Sequence, residues 1–451
     1  MAKQRNIFVC QSCAQSSQSW LGRCPSCGAW NSLVEEVAGG STGAGKSTSR
    51  APSKARPITS VGVGEGGEVR IRVGIGEFDR VLGGGLVTGS LTLLGGDPGV
   101  GKSTLLLHAM QAFAARGVRV LYVSAEESAR QVRLRAERLG VASDELYLLA
   151  DTSVDAMLTA VDEVAPRVLV LDSIQTIHNP QLDGIPGSIS QVRDIAAKAM
   201  VIAKGRDIAT FLIGHVTKDG SLAGPRALEH LVDTVLYAEG DGSTALRVLR
   251  ATKNRFGSTG EIGLFEMRED GMVEVPDASA RLLSERATGA PGTVVTCTMV
   301  GSRPLLVEVQ ALVGRSTAGN PARTVVGVER GRLAMLLAVL ARAGLDLGDR
   351  DVFVSVAGGM RVEEPAADLA ITLALWSSAM GTPLPHDALV FGEVGLVGEV
   401  RGVGMPLARL REAERHGLRR AWVPASAARE STRMKLTAAS SIRDVLAELR
   451  T

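Results

Sequence analysis

Between Val69 and about Val275, short β-branched apolar runs alternate with stretches of helical periodicity. The runs Ser90–Leu94, Arg119–Ser124, Val168–Asp172 and Thr210–Gly214 are almost continuously apolar, which predicts strands buried on both faces. Helix-like spacing between them predicts crossovers, and together they give a parallel α/β sheet. After Val275 a polar stretch, Pro276–Pro291, leads into a region with a different element order, including helices expected near Arg330–Ala343 and Ala366–Ser378. Before Val69, residues 37–68 are rich in Gly, Ser, Thr, Pro and Lys and almost lack large apolar side chains, so they read as a flexible linker. No internal repeat is visible. The expected division is a cysteine-bearing head (1–36), the linker (37–68), an α/β core (69–275) and a C-terminal domain (285–451).

Composition narrows the class. In 451 residues, 45% are hydrophobic and 22% charged, the balance of a folded globular chain rather than a disordered or collagen-like one. No apolar run approaches the roughly 18 residues of a membrane span, and Met1–Arg5 leads into cysteines instead of a signal-peptide core, so a cytoplasmic protein is expected. The net charge of +2 creates no global field for nucleic acid. Its distribution is uneven: residues 1–60 hold seven Lys or Arg against two Glu, and the remainder 43 basic against 46 acidic residues.

Four of the five cysteines lie in the head, as Cys10-x-x-Cys13 and Cys24-x-x-Cys27. Two such pairs separated by a short loop can converge on one tetrahedral Zn²⁺, so a four-cysteine zinc ribbon is expected. Trp20 and Trp30 are expected to cover this small metal core, with base stacking as the alternative. Cys297 reads as a buried hydrophobe.

Gly96, Asp97, Pro98, Gly99, Val100, Gly101, Lys102, Ser103 and Thr104 follow the strand Ser90–Leu94 and open an amphipathic helix. That is a P-loop in its required context: glycine amides wrap ATP phosphates, Lys102 reaches the terminal phosphates and Ser103 ligates Mg²⁺. Gly40–Ser47 has the same spacing, with no strand before it and no apolar helix after it, and reads as a decoy. Asp172 ends an apolar strand and is the second expected Mg²⁺ residue. Glu126 and Glu127 follow another strand. One of them can orient the attacking water, while a pair of helix-start acids accounts for at least one.

The whole chain resembles the bacterial RadA (Sms) family of RecA-like DNA-repair ATPases. The likeness rests on Cys10 to Cys27, on Gly76–Leu86 before the P-loop, on Leu171–Thr176 and on Lys253-Asn254-Arg255-Phe256-Gly257. It implies an α/β RecA-like P-loop core between an N-terminal zinc ribbon and a C-terminal domain similar to the Lon peptidase. It implies that Glu126 is the catalytic glutamate and that His215 senses the terminal phosphate, a satisfied structural histidine being the alternative. The loops Asn179–Ser190 and Lys218–Arg226 would face DNA, with Lys218 and Arg226 as phosphate contacts. Lys253 and Arg255 would reach the neighbouring subunit's nucleotide; their plainer reading is a surface salt-bridge pair.

As a whole, the resemblance implies a DNA-stimulated ATPase, assembled as a hexameric homo-oligomeric ring associated with the nucleoid. It would move on single-stranded DNA and drive branch migration of branched DNA alongside the recombinase RecA. A non-motor scaffold and an ATP-dependent protease are the rivals. Against the protease, Ala366 stands where Lon has its nucleophilic serine and Leu407 where Lon has its lysine base. The stretch Arg401–Arg420 carries six Arg against two Glu and reads either as a duplex-DNA contact or as a solvated helix face.

Overall fold

The computed structural model describes residues 6–10, 16–17, 19–26, 28, 30, 32–37, 70–214, 228–240, 246–316 and 320–449. The chain divides into two compact units, Met1–Glu274 and Val275–Thr451.

The head is a small antiparallel sheet in which β1 (Asn6–Cys10) lies between β2 (Ser16–Ser17) and β3 (Leu33–Val37). Cys10, Cys24 and Leu33 are buried together, with Phe8 packed against them. Trp20 and Trp30 are 55% and 72% exposed, so they do not cover this core. Phe8 and Leu33, carried inward by the paired strands β1 and β3, do so instead.

The paired short strands β4 (Arg70–Ile71) and β5 (Leu86–Val87) flank the helix α1 (Gly76–Val81) in sequence, and the main sheet of the first unit has nine strands. Its parallel half contains β6 (Leu91–Gly96), β7 (Val120–Ser124), β8 (Leu146–Ala150), β9 (Val168–Asp172), β10 (Ala209–Ile213) and β11 (Thr234–Glu239), in the order 11-6-10-9-7-8. These strands alternate side chains between two cores, which is why their sequence is apolar at successive positions. Val120, Tyr122, Val168 and Val170 point to the core that includes the helix α2 (Lys102–Ala114). Leu121, Val123, Leu169 and Leu171 point to the core built with the helices Val154–Val164 and Ile189–Arg206. Beyond β11 the sheet continues as an antiparallel meander, β12 (Leu246–Asn254), β13 (Ile262–Arg268) and β14 (Gly271–Glu274), which extends the parallel sheet expected from the sequence.

The second unit is built on a mixed seven-stranded sheet. The helices Arg330–Arg342 and Asp368–Met380 form close to where periodicity places them. Cys297 is fully buried in its core, and burial pushes the thiol far above its ordinary range. Among the described residues, no helix is long and apolar enough to cross a membrane.

Candidate nucleotide site

The C-terminal ends of β6, β7 and β9 converge in the first unit. Gly96 closes β6 and leads through Asp97–Gly101 into α2. The loop has room only for glycine at two places. A Cβ on Gly96 would lie 2.4 Å from the Ala238 carbonyl oxygen, and one on Gly101 (φ +102°) would lie 2.5 Å from the Met267 methyl. Gly101 caps α2 without any side-chain hydrogen bond, so the helix's first amides remain open to an anion.

Lys102 lies 5% exposed across this loop, with Nζ donating to the Gly96 and Asp97 carbonyl oxygens at 2.8 and 2.9 Å. Burial lowers its pKa, opposed by the charges of Asp172, Asp97 and Glu126. A partly desolvated ammonium held by carbonyl oxygens is suited to turn outward to phosphate oxygens.

Asp172, at the end of β9, is 4% exposed. Its Oδ2 accepts a 2.5 Å hydrogen bond from the Tyr122 hydroxyl on β7. Tyr122 therefore holds in place the carboxylate expected to bind Mg²⁺. Burial, followed by the Asp172 charge, pushes the phenol well above its ordinary pKa, so it stays a neutral donor. A hydroxyl in the first turn of α2 and a carboxylate at the end of β9 form a hard-oxygen donor set that fits a Mg²⁺ ion with most of its water shell.

The geometry separates the two glutamates. Glu127 pairs with Arg135 on the helix Ala129–Arg138. Exposed Glu126 accepts from the hydroxyl of Ser173, the residue after Asp172, and so stands over the same edge.

Lys253 and Arg255 both turn toward the segment 229–233 of their own chain. Lys253 Nζ donates to the Glu229 and Val232 carbonyl oxygens at 2.5 and 2.8 Å, and Arg255 Nη1 contacts Asp233 Oδ1 at 3.3 Å. Asp233, 2% exposed, also receives Lys204 Nζ at 2.6 Å and the Leu91 amide at 3.1 Å. It therefore keeps a cationic partner if Arg255 swings away.

The loop Asn179–Ser190 is built rather than merely polar. Gln191, 1% exposed, accepts from the Asn179 amide at 2.8 Å and donates to the Asn179 and Leu182 carbonyl oxygens at 3.1 and 3.0 Å. Nothing in local sequence marks Gln191, the residue immediately after the loop, in the first turn of the helix Ile189–Arg206. His215, Lys218 and Arg226 lie outside the described residues, as do the decoy Gly40–Ser47 and the cysteines Cys13 and Cys27. Cys10 and Cys24 are 0% and 1% exposed, and the Gly28 amide closes a 2.9 Å turn onto the Cys24 carbonyl oxygen. The buried thiols of Cys10, at the end of β1, and Cys24, at this turn, are soft donors that fit half of a tetrahedral Zn²⁺ site.

In the second unit, Ala366 is 1% exposed in a short turn before the helix Asp368–Met380. Nearby acids are claimed by arginines: Asp368 by Arg332 at 2.6 Å, Glu364 by the buried Arg409 at 2.7 Å. The basic stretch Arg401–Arg420 is also largely engaged, since Arg401, Arg409, Arg415 and Arg420 each pair with acids.

Residues 8–35 match the family described as rubredoxin metal binding domain, 75–221 that described as AAA domain, and 315–427 that described as subunit ChlI of Mg-chelatase. A KaiC-like protein of Pyrococcus horikoshii aligns over 46% of this chain and 100% of its own, with TM-score 0.39 and 23% identity. The chain is 48% identical over 432 residues to a Bacillus subtilis protein named DNA repair protein RadA, covering 94% of each. Proteins of the same name from Streptococcus pyogenes and Pseudomonas aeruginosa are 48% and 49% identical, over 95% and 94% of this chain and 94% of their own lengths. Identity at that level, sustained across almost the full length, places this chain in the RadA family of DNA repair proteins.

Proposed function

We propose that this chain is a DNA-dependent ATPase of homologous recombination and repair. It translocates on single-stranded DNA as a hexameric ring, promotes branch migration of branched intermediates alongside RecA, and works at the nucleoid. The observation that carries the reading is the meeting of Lys102, Ser103, Asp172 and Glu126 at one sheet edge, above a helix N-terminus with open amides.

In this reading the amides of Gly96–Thr104 and the Lys102 ammonium bind the phosphates of ATP. Ser103 and Asp172 would hold Mg²⁺, which would neutralise phosphate charge, and the Tyr122 hydroxyl fixes the Asp172 carboxylate. Glu126 accepts the proton of the attacking water, while its bond from Ser173 aims the carboxylate. His215 reports the terminal phosphate to the strand end, and Lys218 and Arg226 contact DNA phosphates. Lys253 and Arg255 leave their resting partners near Asp233 and stabilise the transferring phosphoryl group bound to the next subunit. The four cysteines Cys10, Cys13, Cys24 and Cys27 bind Zn²⁺ and fold the ribbon (1–36). The linker 37–68 joins it to the ATPase core (69–275), and the Lon-like domain (285–451) is proteolytically inert.

The deciding experiment measures ATP hydrolysis and forked-duplex unwinding by the purified chain with and without single-stranded DNA. Stimulated hydrolysis with directional unwinding supports the motor. Hydrolysis without unwinding leaves an ATP-dependent scaffold.

A further inference from the structure

Two of the four tryptophans, Trp376 and Trp422, are 2% and 7% exposed, as expected for so large an apolar ring. Trp20 and Trp30, ten residues apart in the head, break that pattern, and Trp30 is brought back beside Arg23 by an antiparallel bridge. Both rings border Gly22: an ideal Cβ there would lie 3.7 Å from the Trp20 ring and 3.9 Å from that of Trp30. The Arg23 guanidinium lies 5.8 Å from the Trp30 ring centroid, and its Nε donates to the Gly28 carbonyl oxygen at 3.0 Å. The result is a held platform of two outward indoles and one arginine. It belongs to the part of the chain in which seven basic residues face two acids.

An apolar protein partner would be met by exposed aliphatic and aromatic side chains without a basic surplus. Indoles interleaved with cations match a polyanion with exposed π faces. We propose that Trp20, Trp30 and Arg23 form a base-stacking platform for single-stranded DNA. The inference rests on the single-stranded-DNA reading above and adds to it a contact outside the ATPase core. Stacking tolerates any base, so the platform would hold DNA without choosing sequence, and the basic surplus of residues 1–60, most of it in the linker, would supply a salt-dependent share of affinity.

The test titrates the full-length zinc-loaded protein with oligo(dT) while following tryptophan fluorescence; all four indoles emit, and contact quenching by bases reaches the two exposed ones. Quenching is expected on binding. Trp20→Ala with Trp30→Ala should abolish it and weaken oligo(dT) binding about tenfold or more. Trp30→Tyr, which keeps a stacking ring, should bind close to wild type where Trp30→Leu does not. Unchanged zinc content and unchanged DNA-free ATP hydrolysis show that these variants fold. Oligo(dT) that stimulates hydrolysis without quenching, or equal affinity of Trp30→Leu and wild type, overturns the platform and leaves the ATPase reading intact. Loss of RecA binding with DNA affinity preserved also overturns it and assigns the face to a protein. If wild-type protein neither binds oligo(dT) nor is stimulated by it, the single-stranded-DNA reading fails first.

Discussion

The hydroxyl of Tyr122 donates to Asp172 Oδ2 at 2.5 Å from inside the core, two strand positions back from the sheet edge. The phenol is 1% exposed, so water cannot replace it. Tyr122→Phe leaves the carboxylate short of a partner and free to rotate. We expect a stability loss of about 1–2 kcal/mol and a higher Mg²⁺ requirement for nucleotide binding, followed with a fluorescent ATP analogue. The pH dependence has a definite sign. The folded-state pKa of this tyrosine is raised by burial, so its stabilising contribution is complete below the unfolded pKa of about 10 and declines as pH rises through the folded value. The stability difference between wild type and Tyr122→Phe should therefore be flat from neutral pH and shrink only above about pH 10. A difference that changes between pH values near 6 and 8 would point to another group.

Lys102 and Lys46 share a motif spacing and differ in context. Lys102→Ala removes the cation at the end of the cradle and should lower hydrolysis roughly 100-fold or more. Lys46→Ala should leave the rate within about twofold: contrary to the sequence expectation a strand, β3, does end shortly before Gly40–Ser47, but it belongs to the small antiparallel head sheet and no apolar helical sequence follows the motif. Steady-state phosphate release on both variants settles the comparison.

Glu126 and Glu127 are neighbours with opposite expected behaviour. Glu126→Gln should retain nucleotide binding while kcat falls about 10²–10⁴-fold, the usual worth of a general base. Glu127→Gln loses a pair with the largely buried Arg135 and should cost about 1–3 kcal/mol of stability, with little change in rate. The reverse pattern would exchange their roles.

Arg255 sits against Asp233 in its own chain, and Lys204 stays behind as the second partner of that carboxylate. Arg255→Ala should thus cost little stability, yet reduce DNA-stimulated turnover by about 10³-fold if the side chain acts on the neighbouring subunit. Mixed rings of Lys102→Ala and Arg255→Ala chains contain interfaces with one intact P-loop and one intact arginine. Verified mixed rings without any recovered hydrolysis would falsify the action across subunits.

No peptide-bond cleavage is expected from the second unit. Ala366 offers a buried methyl group and Leu407 an isobutyl group where a nucleophile and a base are needed. Restoring serine and lysine together should not be sufficient, since Glu364 and Asp368 are bound to Arg409 and Arg332 in the same region. Incubating the full chain and this double variant with ATP and an unfolded casein substrate checks both statements.

Several features follow from the chain alone, because each depends on residues close in sequence. A strand buried on both faces must be apolar at successive positions, so β6, β7, β9 and β10 are legible within a residue or two at each end. Glycines with a Lys-Ser pair between strand and helix announce the phosphate cradle, and paired CxxC motifs announce a metal site, by local spacing. The missing serine and lysine of the second unit are likewise a matter of composition at two positions.

Features that depend on which strand lies beside which were decided only in three dimensions. The antiparallel extension β12–β14 resembles any alternating stretch until β11 is in place to pair with it. Glu126 and Glu127 are equivalent in sequence; Ser173 and Arg135, brought in by β9 and a following helix, tell them apart. Arg409 reads as one cation of a basic stretch, yet it is 1% exposed because Glu364 and the Cys297 carbonyl oxygen neutralise and solvate it inside the core. The outward stance of Trp20 and Trp30 is of the same kind. Their apolarity predicts burial, but Phe8 and Leu33 already fill a core too small for four large side chains, and the indoles are left on the surface.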